Sequence, residues 1–178
     1  MQTNSEDIST NVGLVRKVLG DMGLIIAQSR PAALPTGMNN VVLRFRDPTW
    51  TCVLFTHEDE ALVRIYAGIA ELGGATRVRV LEAVNYANYR FLMDYLMELD
   101  LEQNNIRLRS NYRGAGAHFS PSELKEALTK SLGIYRYWAC TMPLVLASNL
   151  PMEAAFKQAR AESAARNNLP PNITFPNM

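Results

Sequence analysis

The sequence predicts an α+β domain, in which helices lie beside an antiparallel sheet. Three observations predict it. Apolar residues recur at helical spacing from Ile8 to Leu19, from Val78 to Phe91 and from Leu124 to Trp138. Between the first two stretches, apolar residues alternate or cluster at 41–46, 50–56 and 62–69, as in strands. The connections there are short and polar, which favours an antiparallel meander over parallel βαβ units. The expected order is helix, three-stranded antiparallel meander, helix, two strands, helix, then a C-terminal helical extension.

The first helix follows Ser5 and carries Ile8, Val12, Val15, Val18 and Leu19. Gly20 and Gly23 stop it near Asp21 or Met22, and Gly13 weakens its centre. A short candidate strand covers 24–27. The stretch 29–40 holds two prolines, a glycine and two asparagines and reads as a loop. Val41, Leu43 and Phe45 then alternate with Val42, Arg44 and Arg46. Asp47 and Pro48 make a turn, 50–56 is rich in aromatic and β-branched residues, and 57–60 is a polar turn. The third strand sets Val63, Ile65 and Ala67 on one face.

Gly73 and Gly74 precede a helix at 76–91 with two apolar stripes. Val80, Val84, Ala87 and Phe91 form one; Val78, Leu81, Asn85 and Tyr89 form the other. One stripe covers the sheet, and the second needs a cover of its own. A hairpin follows, with strands at 92–99 and 106–112. Ser120, Pro121 and Glu123 then mark a helix start with a capping box. That helix runs through Leu124, Leu128, Leu132, Tyr135 and Trp138 and is expected to kink or end near Met142, ahead of Pro143. A last, Ala-rich helix follows an Asn149 cap and runs from about 151 to 166 with few large apolar anchors. The remaining residues hold three prolines and read as a loose tail. The expected division is an α+β domain at 1–150 and a helix with tail at 151–178.

Composition excludes several function classes. Lys plus Arg is 18 and Asp plus Glu is 17, so no global field draws nucleic acid or an acidic membrane. The start of the chain is polar and carries Glu6 and Asp7, unlike a signal peptide. The apolar stretch 138–150 is interrupted by Thr141, Pro143, Ser148 and Asn149 and is too short to span a bilayer. A cytoplasmic protein with no membrane partner is expected. There Cys52 and Cys140 fit buried thiols; in a secreted protein they would fit one disulfide, and Asn172 a glycosylation site.

Catalytic chemistry finds no foothold. His57 in an acidic turn and His118 in a Gly-rich loop sit in no nucleophile motif. Two His and two Cys, far apart, match no zinc spacing, and Glu58, Asp59 and Glu60 lack the pattern of a calcium loop. Nothing in the sequence brings Glu82 and Asp94 together as acid and base. Gly114 and Gly116, like the glycines of 68–74, lack the phosphate-loop pattern and suit turns. A non-enzymatic protein without cofactor or metal is expected.

Fourteen of the 18 basic residues are Arg. Arg44, Arg46, Arg64, Arg107, Arg109 and Arg113 fall at alternate strand positions. The planar guanidinium fork suits carboxylate or phosphate, and Tyr66, Tyr112 and Trp50 add stacking surfaces. Three readings stand: a solvated face balanced by nearby acids, a surface for an acidic protein partner, and a surface for nucleic acid.

The run Val80-Leu81-Glu82-Ala83-Val84-Asn85-Tyr86-Ala87-Asn88 resembles the second-helix pattern of YbjN-like proteins, where aliphatic residues precede two asparagines three apart. The strand Val42-Leu43-Arg44-Phe45, the strand at 61–67 and the Ser-Pro-Ser-Glu helix fall where that family would put them. The resemblance spans roughly residues 8–147; the loop at 29–40 and everything after Pro143 depart from it. YbjN-like domains are similar in fold to type III secretion chaperones. The resemblance implies a small cytosolic homodimer that binds other proteins, without a catalytic site. It implies pairing through the second helix and adjoining strand, with extended partner segments held on hydrophobic grooves.

The residues agree at one point. Phe91, Leu92, Met93, Tyr95, Leu96 and Met97 follow a helix that is already apolar on two sides, more than one small sheet covers. Leu81, Asn85, Tyr89, Leu92 and Tyr95 are expected at a dimer interface, or else in the core of a monomer. The expected function is a chaperone-like or regulatory homodimer holding a protein or peptide partner through apolar surface and the six arginines. The alternative is an accessory protein on single-stranded nucleic acid.

Overall fold

The computed structural model describes residues 10–32, 40–46, 51–57, 61–92, 94–116 and 118–167; within 28–57 it describes the backbone and the side chains of Leu54 and Thr56. The elements are α1 (Asn11–Asp21), β1 (Ile25–Ala32), β2 (Asn40–Arg46), β3 (Thr51–His57), β4 (Leu62–Glu71), α2 (Arg77–Arg90), β5 (Tyr95–Asp100), β6 (Asn105–Arg113), α3 (Pro121–Ala147) and α4 (Met152–Asn167). The strands form a six-stranded sheet in the order β1-β2-β3-β4-β6-β5. The α+β class and the antiparallel meander are as the sequence predicts.

The meander has four strands rather than three, because β1 extends through residues read as loop and pairs antiparallel with all of β2. Pro31 is tolerated there since β1 lies at the sheet edge, where one side of the backbone needs no ladder partner. His57 closes β3, abreast of Leu62, instead of entering the turn. Thr10 caps α1, its hydroxyl accepting from the Gly13 amide at 3.0 Å. At the start of α3 the Ser120 hydroxyl pairs with that of Ser122 at 2.9 Å instead of the expected exchange with Glu123. Pro143 does not end α3, which continues to Ala147. Burial of Met142, Val145 and Leu146 on either side of the proline offsets the lost backbone bond. Ser5, Ile8, Asp47, Pro48, Trp50, Glu58–Glu60 and the tail from 168 lie outside the described residues.

The chain divides into two compact units, one of Met1–Ala67 with Arg109–Leu132, the other of Gly68–Leu108 with Gly133–Met178. In the first, α1 packs on β1 and β3. It buries Leu14, Val15, Val18 and Leu19, while Leu54, Val63, Ile65 and Ala67 are buried on the strands. A buried hydroxyl pair, Ser110 with Ser131 at 3.3 Å, sits in the same unit.

In the second unit α2 packs on β5 and α4. An aromatic cluster forms around Phe156 of α4, which is 1% exposed. Its ring stacks on Tyr86 at 5.1 Å and lies 5.5 Å from Phe91 and 6.2 Å from Trp138. The Arg160 guanidinium sits 4.8 Å above Phe91, and its Nε donates to the Tyr137 hydroxyl at 2.9 Å. One large side chain thus anchors a helix whose sequence offers few.

Phe156→Ala is expected to cost about 3–5 kcal/mol, read as a lowered urea midpoint. Burial pushes the Tyr137 hydroxyl above its ordinary value of 10.0 despite Arg160 beside it. The unfolded chain therefore ionises first, and stability present below pH 10.0 is lost as the pH rises above it. Tyr137→Phe should flatten that loss in urea titrations on either side of the transition.

Candidate interaction surfaces

The placement of α2 decides which of its faces is offered. The Thr76 hydroxyl accepts from the Arg79 amide at 3.2 Å and caps the helix. Val80, Ala83, Val84 and Ala87 are buried. Asn88 then fixes the rotation. Its Nδ2 donates to the Met97 carbonyl at 2.9 Å, and its Oδ1 accepts from the Met97 amide at 2.8 Å. The side-chain amide imitates a neighbouring strand, and it does so on β5, the outermost strand at that end of the sheet.

With that face held inward, the other points out. Val78 is 65% exposed, Leu81 42% and Tyr89 79%, with Asn85 exposed between them. They recur at intervals of three and four residues, a single helical stripe. Arg90 lies 5.9 Å from the Tyr89 ring. Leu92 is buried, and Tyr95 is half-buried with its ring 6.4 Å from Tyr135. Leu96 on β5 is exposed.

The arginines divide by surroundings. Arg107 donates Nε to Glu98 at 3.1 Å and Nη1 to Asp100 at 2.9 Å, so two carboxylates on β5 neutralise it. Arg64 meets a neutral partner, donating Nε to Asn111 Oδ1 at 2.8 Å. In the first unit the register aligns Arg44 with Val53 and Val53 with Tyr66. Ile65 on the same strand is buried, as are Leu108 and Ser110 on β6. Positions 64, 66, 109, 111 and 113 therefore lie on the opposite face of their strands. Tyr112 does not join them. It falls on the inner side and stacks on Phe119 at 5.7 Å.

A cleft of about 620 Å³ in the second unit is lined by residues including Glu71, Gly74, Thr76, Arg79, Pro143 and Ser148. Arg79 donates Nη1 to the Leu150 carbonyl at 2.8 Å and Nη2 to the Val145 carbonyl at 3.0 Å. Its charge serves as a joint at the end of α3, where helix carbonyls favour a cation. His118 is exposed, and Cys140 is a partly exposed thiol outside any disulfide, less buried than the sequence reading expects. Among the described residues no three His, Cys, Asp or Glu gather as metal ligands, and no helix is long and apolar enough to cross a membrane.

No family model matches the chain, and no curated protein matches it. Among solved structures, a chain of the crystal structure of the ExsC-ExsE complex matches with a TM-score of 0.49 at 15% identity. The match covers 77% of this chain and 94% of that one.

Asn88→Ala removes two bonds from the β5 edge. It is expected to cost about 2 kcal/mol, with faster hydrogen exchange at the Met97 amide as the local readout.

Proposed function

We propose that the protein is a non-enzymatic homodimeric binding module that holds a protein or peptide partner. The exposed apolar stripe on α2, opposite its buried one, carries this reading. Leu81, Asn85 and Tyr89 are evenly spaced at four-residue intervals. A twofold axis at Asn85 pairs Leu81 with the partner's Tyr89 in both directions and sets the two Asn85 amides against each other. Such a self-complementary stripe suits an isologous contact, and a polar residue at its centre suits a defined register. Leu92 is buried in its own unit.

Magnitude sets the conditions of the test. Burying Val78, Leu81 and Tyr89 from two copies gains on the order of 10 kcal/mol gross, against an association cost of about 4–15 kcal/mol. The contact is therefore expected to be no tighter than about tens of micromolar. Light scattering at several hundred micromolar should show the mass rising toward twice that of the chain, and Leu81→Glu with Tyr89→Glu should give the single mass with unchanged circular dichroism. A wild-type chain that stays single at that concentration removes the dimer.

A further inference from the structure

We infer that the self-contact of α2 is held in an antiparallel register by two ion pairs between copies, each formed by Glu82 of one copy and the partner's Arg90. The inference rests on the binding-module reading and adds to it the charges that set the orientation of the second copy. Glu82 is the one acid on α2. It is exposed, next to Leu81 and one turn from Val78, on the side of the helix that carries the apolar stripe. Among the described residues it makes no ion pair and no hydrogen bond. A contact that covers the stripe takes this carboxylate part-way out of water, and it needs a cation there.

The helix carries the cation as well. Arg79 is committed to carbonyls at the end of α3. Arg90 is exposed, meets no carboxylate among the described residues, and holds its guanidinium 5.9 Å from the Tyr89 ring. Glu82 and Arg90 stand eight residues apart on one helix, roughly 12 Å along its axis, so they do not meet within a chain.

Between copies they do. Asn88, bound to β5, marks one flank of α2. Glu82, Tyr86 and Arg90 follow at four-residue intervals along the other flank, where Tyr86 stacks on Phe156. A twofold axis perpendicular to two antiparallel helices sets each flank against its own kind. With the axis at Asn85, Glu82 stands level with the partner's Asn88, roughly 3 Å along the axis from the partner's Arg90. Tyr89 meets the partner's Leu81, so the guanidinium beside Tyr89 comes next to the partner's Glu82. A parallel pair in register would instead set Glu82 against the partner's Glu82 and Arg90 against the partner's Arg90. Flanking charges of this kind choose orientation and partner in paired helices.

The test is charge reversal followed by mixing, read by sedimentation equilibrium on the full chain at several hundred micromolar. Glu82→Arg alone sets two cations together at both contacts, and Arg90→Glu alone sets two anions together at both. Each variant is therefore expected to self-associate roughly tenfold more weakly than wild type. Mixed one to one, the two variants regain both attractive pairs, and heterodimers should form with an affinity within about threefold of the wild-type dimer. A fold defect in either variant gives no such rescue. Variants that self-associate as wild type does, or a mixture no tighter than its components, overturn the inference. Where a reversal variant does not fold, the cycle of Glu82→Gln, Arg90→Gln and both together decides: the double is expected to lose no more than either single, and additive losses overturn the pairs. Wild type measured alongside separates the two readings. A wild-type dimer whose reversal variants are unchanged loses the ion pairs and keeps the self-contact, and a wild type of single mass removes both.

Discussion

The geometry of α2 is governed by a mismatch between how much apolar surface it carries and how much its own unit covers. A helix with two apolar stripes has no unique rotation on grounds of burial alone, since either stripe satisfies the interior. Asn88 breaks that tie. Its amide matches both backbone groups of Met97, and rotating the helix to bury Val78, Leu81 and Tyr89 would leave those groups unmet at a partly buried site. A directional polar contact therefore chooses between two non-directional ones. The exposure of Tyr89 and Val78 follows from that choice, and it leaves an apolar stripe at the surface.

Much of this was legible in the sequence where periodicity speaks. Val80, Val84 and Ala87 mark the buried side of α2 at once, and Val63, Ile65 and Ala67 mark the inner face of β4. The errors fall where local propensity and tertiary context disagree. Pro31 argues for a loop until β1 is known to be an edge strand. Pro143 argues for a kink or an end, and the burial of Met142 and Val145 decides against the end. Phe156 is one aromatic in an Ala-rich run, and only the cluster of Tyr86, Phe91 and Trp138 turns it into an anchor.

The surfaces were harder to read for a related reason. Strand parity places Arg64 and Arg109 correctly, but parity on one strand says nothing of its neighbour. Tyr66 and Tyr112 look equivalent in sequence; the pairing of β4 with β6 sends one outward and the other onto Phe119. The role of Arg107 shows only once β5 brings Glu98 and Asp100 beside it. The motif that resembles YbjN-like proteins lies on α2, yet it is silent on which asparagine clamps β5 and which is exposed.

Charge on this chain is arranged locally rather than globally. Near-neutral totals conceal strands that carry arginine without acid and an edge strand that carries the acid. Such a pattern exerts little pull at a distance, because screening in salt confines each guanidinium to about 8 Å. At contact, guanidinium–carboxylate forks have strict geometry instead, as Arg107 shows with Glu98 and Asp100. The apolar stripe of α2 works on the other principle, area without direction, and it is on this area that the proposed self-contact draws.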